Sequence, residues 1–152
     1  MNKFEIQLAD RSHLPAISKL YEKYLDFYQV DITGKNPQDY LEQRLINNES
    51  YIFYAVTETG EYAGFAQLYP LFCSLEMKRA WLLYDLYVDD QYRKMGVGKQ
   101  LLQRAEIFAK EKDSAYIMLS TATDNFRAQS LYEKSGYEKD TEFLTYLNHL
   151  KP

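Results

Sequence analysis

The sequence is poor in the features that define several common classes of protein. Its 152 residues include one cysteine, Cys73, so an intramolecular disulfide and a disulfide-stapled secreted scaffold are excluded. No apolar run approaches the length of a membrane span, and the N-terminus lacks a signal-peptide core. The 18 Lys and Arg are outnumbered by 22 Asp and Glu, which argues against nucleic-acid binding through excess basic charge. We therefore expect a cytoplasmic protein that binds neither nucleic acid nor a membrane.

Histidine is equally scarce, whereas aromatic residues are abundant. His13 and His149 stand apart, with no Cys or carboxylate cluster at ligand spacing, so no metal site is expected. The 15 Tyr and 8 Phe can fill a core and also line a pocket. With 46% hydrophobic residues, the chain can bury one core, and we expect a single domain over residues 1–152.

Hydrophobic periodicity in the first half predicts strands and helices in turn. Apolar and polar residues alternate over Phe4–Leu8 and again on both sides of Thr59-Gly60, which predicts a first strand and then a hairpin. Helical spacing predicts one helix capped by Ser12 and a second that begins at Asn36-Pro37. Pro70 is expected to end the hairpin.

The second half predicts the rest of the sheet. An irregular connection over residues 71–79 should lead into Trp81–Val88, a nearly continuous apolar run typical of a strand covered on both faces, interrupted by Asp85. The predicted elements after it are helices over 96–112 and 125–135 and strands over 116–119 and 143–147. This order predicts an α+β fold, a mixed sheet with helices on both faces.

A glycine-rich segment, Arg93-Lys94-Met95-Gly96-Val97-Gly98, joins the buried strand to the next helix. Its two glycines allow a sharp turn and the close approach of a ligand. The free N–H groups and positive dipole at the helix start suit a phosphate, and Arg93 and Lys94 add charge. The full phosphate-loop pattern is absent, since no Gly-Lys-Ser/Thr follows, and the dinucleotide fingerprint is incomplete, since Leu101 occupies its third glycine position. On its own, the segment is also that of a plain glycine turn beside two solvated cations.

Two segments together resemble the signature of the GNAT (GCN5-related N-acetyltransferase) superfamily. The first is Asp85-Leu86-Tyr87-Val88, followed by Arg93-x-x-Gly96-x-Gly98 and a helix. The second is Asn125-x-x-Ala128-x-x-x-Tyr132-Glu133-x-x-Gly136-Tyr137, in which Tyr137 replaces the commoner Phe. The resemblance covers residues 64–137 and implies the GNAT fold, with its central strands splayed apart.

Within the superfamily, the chain looks most like the diamine, thialysine and related small-amine acetyltransferases. The similarity lies in Tyr69-Pro70-x-Phe72-Cys73-Ser74 and in Leu83-Tyr84-Asp85. The polyamine enzymes have Leu-Glu-Asp where this chain has Leu83-Tyr84-Asp85, so Tyr84 replaces a glutamate and one carboxylate is missing here. That difference puts polyamine specificity in doubt.

The resemblance implies acetyl-CoA as co-substrate and direct attack by an amine in a ternary complex. Its pyrophosphate would bind the N–H groups at the helix start, and its pantetheine arm would pair with the strand backbone. The Val88 N–H would donate to the thioester oxygen, which becomes negative as the amine attacks. The implied cofactor-binding residues are Leu86, Tyr87, Val88, Arg93, Lys94, Met95, Gly96, Val97, Gly98, Lys99, Asn125, Ala128 and Tyr132.

Two residues are candidates for the proton transfers of this reaction. The family position of Tyr132 places a hydroxyl where it can protonate the leaving thiolate, although without the motif Tyr132 would pass for a core residue. An alkylammonium has a pKa of about 10 and must lose a proton before it attacks. Asp85 could accept that proton, it could be structural, or a water relay could carry the proton to solvent. Asn125 could cap a helix and also contact the cofactor.

The acceptor pocket is expected to include Phe27, Tyr28, Tyr84 and Asp85, with Tyr24 and Phe72 nearby. We expect an N-acetyltransferase for the primary amine of a small molecule, because aromatic faces and an acidic balance favour a cation. The alternatives are a protein or peptide N-acetyltransferase and a non-catalytic acyl-CoA-binding module. A homodimer that shares a strand over 143–146 stays open.

Overall fold

The computed structural model describes residues 3–152 and divides the chain into two compact units. The first unit ends at Ser120, and the second extends from Thr121 to Pro152. The first contains the whole sheet, and each unit is described by itself.

The first unit is built on a five-stranded sheet whose spatial order follows the chain. Its strands are β1 (Phe4–Leu8), β2 (Tyr51–Thr57), β3 (Tyr62–Cys73), β4 (Lys78–Val88) and β5 (Ile117–Met118). The first three neighbouring pairs are antiparallel, and β5 pairs parallel to β4. The predicted mixed sheet of an α+β fold is confirmed, and the sheet is open.

Helices cover both faces of this sheet. Three belong to the first unit, namely α1 (Leu14–Phe27), α2 (Pro37–Ile46) and α3 (Val97–Glu111). On one face, Leu20 of α1 and Leu41 of α2 are buried in a cluster with Phe65 of β3. On the other face, Phe108 of α3 packs against Trp81 of β4 with ring centroids 4.9 Å apart. None of the helices among residues 3–152 is long and apolar enough to cross a membrane.

Two local predictions in this unit are wrong. The backbone N–H and the hydroxyl of Ser12 both donate to Asp10, so Asp10 and not Ser12 caps the short 3-10 turn that precedes α1. Pro70 does not end the hairpin, because β3 continues to Cys73 and β4 already begins at Lys78. The pairing of β2 with β3 ends at Leu68, so Pro70 has β4 as its one strand neighbour. A proline that lacks an N–H is tolerated at such an edge.

The second unit contains one helix, α4 (Phe126–Lys134). The Asn125 side chain accepts a hydrogen bond from the Ala128 N–H at 3.1 Å, and Gly136, at φ 95°, follows the helix end. These boundaries agree with the prediction. The strand predicted over 143–147 is wrong: those residues form neither strand nor helix.

Candidate functional site

Asp85 is positioned by an irregularity in β4. Gln67 of β3 pairs with Asp85 and its neighbour Leu68 pairs with Leu83, which leaves Tyr84 without an opposite residue. Such a bulge reverses the alternation of side chains along a strand. Trp81, before the bulge, faces α3, whereas Tyr87, beyond it, contacts Tyr24 of α1. The bulge therefore directs Asp85 towards α1 and leaves Tyr84 63% exposed.

A buried chain of hydrogen bonds holds the Asp85 carboxylate. The Ser50 hydroxyl donates to Gln67 Oε1 at 2.7 Å, and Gln67 Nε2 donates to Asp85 Oδ2 at 2.7 Å. All three residues are buried. Burial raises the pKa of Asp85, while hydrogen bonds from Gln67 and Tyr24 partly oppose that rise. Asp85 is therefore a better proton acceptor than an exposed aspartate.

Asp85 faces a cavity of about 220 Å³ with tyrosine walls. Three tyrosines come from α1 or the residue that follows it, and the others come from α2, β3 and β4. The cavity-lining tyrosines are Tyr21, Tyr24, Tyr28, Tyr40, Tyr69 and Tyr84. The hydroxyls of Tyr40 and Tyr69 lie 2.9 Å apart and share a hydrogen bond, which ties α2 to β3 at the cavity wall.

The deeper phenols are held in their neutral form. Burial and the charge of Asp85 raise the pKa of Tyr21 to about 12. Burial also raises the pKa of Tyr24, with Asp85 as a second cause, and that of Tyr69, with hydrogen bonding to Tyr40 as the second. These hydroxyls therefore carry no charge at neutral pH.

Beyond the bulge, one edge of β4 is open. β5 pairs with β4 only through Trp81 and Leu82, so the strands part before the end of β4. The Asp89 N–H donates to Ala63 in β3 at 2.9 Å, and donors alternate along an antiparallel ladder. The polar backbone groups of Leu86 and Val88 consequently point to the open edge, whereas those of Tyr87 point to β3. The predicted splay of the central strands is confirmed.

The end of β4 is braced by two charged side chains. Arg93 Nε donates to the Val88 carbonyl at 3.0 Å, and its guanidinium pairs with Asp90 at 2.6 Å. Lys23 of α1 forms an ion pair with the buried Asp89 at 2.6 Å. Burial opposes ionisation of Asp89, but the hydrogen bond from Lys23 and the remaining contacts outweigh it and lower its pKa. The Arg93 guanidinium therefore contacts the strand end itself.

The start of α3 has no side-chain cap. Gly96 occupies the N-cap position at φ 82°, and because it has no side chain, it provides no oxygen to accept hydrogen bonds from the N–H groups of the first turn. The N–H groups of Val97, Gly98 and Lys99 thus lack a capping side chain, and the space above Gly96 is open. Gly96 is required for its left-handed backbone rather than for space. An uncapped helix start with open space before it fits the diphosphate of acetyl-CoA.

Other predicted cofactor residues lie around these elements or in the second unit. Lys94 and Met95 are exposed on the loop before α3, and Lys94 adopts a positive φ of 65°. In the second unit, Asn125, Ala128 and Tyr132 lie on or beside α4, and the Tyr132 ring is 6.1 Å from that of Tyr137. Asn125 has the capping role predicted for it.

The structure brings together part of the predicted acceptor pocket. Tyr28, Tyr84 and Asp85 line the cavity, and so does Tyr24. Phe27 and Phe72 do not line it: Phe27 is 58% exposed, and Phe72 lies under the Arg79 guanidinium. Among residues 3–152, no group of His, Cys, Asp and Glu is arranged to hold a metal ion.

Several residues of the site escaped the sequence reasoning. Tyr21, Tyr40 and Tyr69 line the cavity, and Gln67 orients Asp85. The helical spacing of Tyr21 with Tyr24 and Tyr28 was a usable signal for one of them. The sequence reasoning also missed Gly64. A Cβ at this position would lie 2.6 Å from the Tyr87 carbonyl oxygen, so the lack of a side chain at Gly64 lets β3 approach β4 closely.

Comparison with known proteins identifies the family. The family model "Acetyltransferase (GNAT) family" matches residues 17–137. An uncharacterised N-acetyltransferase of Bacillus subtilis, YhfO, is 40% identical over 141 residues, which cover 93% of this chain and 94% of that protein. The chain therefore belongs to the GNAT acetyltransferase family.

Solved structures share the fold. The crystal structure of a probable acetyltransferase has a TM-score of 0.90 and 36% identity, covering 97% of this chain and 99% of its own. An aminoglycoside acetyltransferase from an uncultured soil metagenomic sample has a TM-score of 0.83 at 21% identity, with 97% of both chains covered. At that identity the second likeness shows the fold alone.

Proposed function

We propose that this GNAT acetyltransferase transfers an acetyl group from acetyl-CoA to the primary amine of a small molecule by direct attack. The observation that carries the proposal is the buried Asp85 carboxylate, which faces a tyrosine-walled cavity just before the open edge of β4. We take residues 1–152 as one acetyltransferase domain, a view supported by the 94% coverage of the Bacillus relative. The cytoplasmic location expected from the sequence stays a prediction.

The residues around the open edge fit acetyl-CoA, which would supply the acetyl group as a thioester. The uncapped N–H groups of Val97, Gly98 and Lys99 would hold the diphosphate, helped by the exposed Lys94. The outward-facing backbone groups of Leu86 would pair with the amide groups of the pantetheine arm, which leaves the Val88 N–H for the thioester oxygen. Arg93 would act indirectly, by holding the Val88 carbonyl in place.

The proton transfers would be divided between two side chains. Asp85, or a water that relays to solvent, would take the proton from the ammonium. The raised pKa of Asp85 favours this transfer, because it reduces the difference from the pKa of the ammonium. The neutral amine nitrogen would then bond to the acetyl carbon to form a tetrahedral intermediate, whose negative oxygen the Val88 N–H would stabilise. As the intermediate collapses, the carbon–sulfur bond would break, the Tyr132 hydroxyl would protonate the departing thiolate, and the nitrogen would lose its extra proton to solvent. Solvent would then return a proton to Tyr132.

The first experiment is a measurement of free thiol released from acetyl-CoA against a panel of amines. The panel contains simple alkylamines and aralkylamines, polyamines, thialysine and lysine, aminoglycosides and a lysine peptide. Turnover with a small amine is the expected result. A preference for the peptide would favour the protein-acetyltransferase alternative, and a thermal shift with acetyl-CoA without any turnover would favour the binding module.

A further inference from the structure

We propose that the tyrosine-walled cavity selects amines that carry one positive charge and no carboxylate, attached to a compact alkyl or aromatic group. This inference rests on the proposed function and narrows its substrate class. It follows from the charges that line the cavity, from the chemistry of its walls and from its size.

The charge balance of the cavity suits a single ammonium group. Among the described residues that line it, Asp85 is the one carboxyl group, and no Lys or Arg contributes. One ammonium would find one counter-ion there. A second ammonium on a diamine would lose its hydration without gaining a counter-ion, which opposes binding unless that group stays in water. The carboxylate of an amino acid would meet the charge of Asp85 with no cation to offset it.

The walls favour a cation with an apolar remainder. Phenol rings attract an ammonium through their faces, most strongly where water is excluded. The rings of Tyr21, Tyr24 and Tyr69 belong to neutral phenols, so the walls add no competing charge. Leu25 and Val30 complete the lining with apolar surface, and that surface can cover a hydrocarbon group.

The dimensions of the cavity favour a compact ligand. At about 220 Å³ it is smaller than most sites for drug-sized molecules, which run from about 300 to 1,000 Å³. A multi-ring, polycationic aminoglycoside would have to leave most of its rings and charges outside. The hydrogen bond between Tyr40 and Tyr69 holds two walls together and resists widening.

The test compares matched ligands that differ by one charged group. Isothermal titration calorimetry measures the affinity of the protein for each ligand. Hexylamine is compared with hexamethylenediamine, and phenethylamine is compared with phenylalanine and with phenethyl alcohol. The protein is the full chain saturated with CoA, so that binding is measured without transfer. We expect each monoamine to bind at least about tenfold more tightly than its partners, equivalent to about 1.4 kcal/mol.

Two aspartate variants connect the preference to the carboxylate. Asp85→Asn should remove the advantage of phenethylamine over the neutral alcohol, because the counter-ion is gone. Asp89→Asn is the matched control: it also neutralises a buried carboxylate of this region, but Asp89 pairs with Lys23 and does not line the cavity. That variant should keep the order of affinities found in the unmodified protein.

The outcomes separate this inference from the proposed function. Equal or tighter binding of the diamine or of the amino acid, or an absence of amine binding, would overturn the inference. A monoamine preference that survives in Asp85→Asn would overturn it as well. If the expected order is found but no amine releases thiol, the inference on the cavity holds and the proposed function fails. Thiol release that is fastest with polycations would leave the function intact and refute the inference.

Discussion

The orientation of Asp85 depends on two residues that do not line the cavity. Gln67 can donate to the carboxylate only while its amide keeps one orientation, and the Ser50 hydroxyl fixes that orientation by donating to Oε1. Because an amide can flip, loss of the Ser50 donor frees it to turn its oxygen towards Asp85. Ser50 and Gln67 therefore position the carboxylate proposed as the base.

Removal of this support should shift the pH dependence of the reaction. The hydrogen bond from Gln67 lowers the pKa of Asp85, so Gln67→Met should raise that pKa and move the acidic limb of kcat/KM to higher pH. Ser50→Ala should move it in the same direction by less. The pKa of Asp85 is read independently by carbon NMR of labelled aspartate carboxyls, with Asp85→Asn assigning the signal.

Ser18→Ala provides the control for this prediction. Ser18 is as buried as Ser50, but its hydroxyl has no hydrogen-bond partner among the described residues. Its loss should leave both the pH profile and the carboxyl signal unchanged. If Gln67→Met lowers stability while the acidic limb and the carboxyl titration stay in place, Gln67 has a purely structural role.

The second proposed proton transfer, from the Tyr132 hydroxyl to the leaving thiolate, can be tested separately. Tyr132→Phe removes the proposed acid and keeps the ring, so kcat should fall by about 100-fold or more while the KM for acetyl-CoA changes little. Tyr146→Phe, at an exposed tyrosine of the same unit, should have no effect. Steady-state kinetics check both variants, and parallel losses in kcat and in acetyl-CoA affinity would contradict the acid role.

At the scale of elements, two variants at the start of α3 isolate the effect of a negative charge on CoA binding. Gly98 lies in the first turn, where the helix lacks a side-chain cap. Gly98→Asp and Gly98→Asn introduce side chains of nearly equal size, but only Asp adds a negative charge where the diphosphate would bind. The Asp variant should bind CoA about tenfold more weakly than the Asn variant, about 1.4 kcal/mol, because its carboxylate repels the diphosphate and offsets the positive end of the helix dipole.

Titration calorimetry with CoA at two salt concentrations checks this comparison. The difference between the two variants should shrink at high salt, because a helix-end charge is screened. Equal affinities at low salt would mean that the diphosphate does not bind at this helix start.

Most elements were predictable from the sequence because their patterns are local. The continuous apolar run of β4 and the inner stripe of α3 each reflect burial that repeats along one segment. Pro70 misled the prediction because its effect depends on where the neighbouring strand β2 ends. The strand predicted over 143–147 also failed, since a short apolar run does not by itself establish strand pairing.

The candidate site was predictable only where a motif marked it. Asp85 stood out as a carboxylate within an apolar run, but the face to which it points depends on the bulge at Tyr84, and the bulge arises from pairing with β3. Tyr40 and Tyr69 meet across α2 and β3, 29 residues apart in sequence, so no local spacing connects them. Gln67 looks like an ordinary polar strand residue until its partner is known.

For the molecule as a whole, two buried carboxylates near the end of β4 have opposite effects on folding. Asp89 has a lowered pKa, so its contribution to stability is present above its usual pKa of about 3.9 and is lost as the pH falls through the lowered value. Asp85 has a raised pKa, so the folded state binds its proton more tightly than the unfolded state does. Its ionisation therefore lowers the free energy of unfolding as the pH rises. Ionised Asp89 therefore stabilises the fold, whereas ionised Asp85, the proposed base, reduces its stability.

The paired variants should consequently shift the melting temperature in opposite directions at neutral pH. Asp89→Asn removes the partner of Lys23 and should lower Tm, by about 2–4 °C for each kcal/mol lost. Asp85→Asn removes a buried charge but keeps an oxygen that can accept from Gln67, so it should raise Tm while activity falls. Thermal denaturation from about pH 3 to pH 8 checks both variants. The gain in Tm of Asp85→Asn should disappear at the acidic end, where Asp85 of the unmodified protein is protonated in both the folded and the unfolded state. A loss of stability in Asp85→Asn at neutral pH would mean that the carboxylate stabilises the fold, and that its burial reflects structure rather than a cost accepted for catalysis.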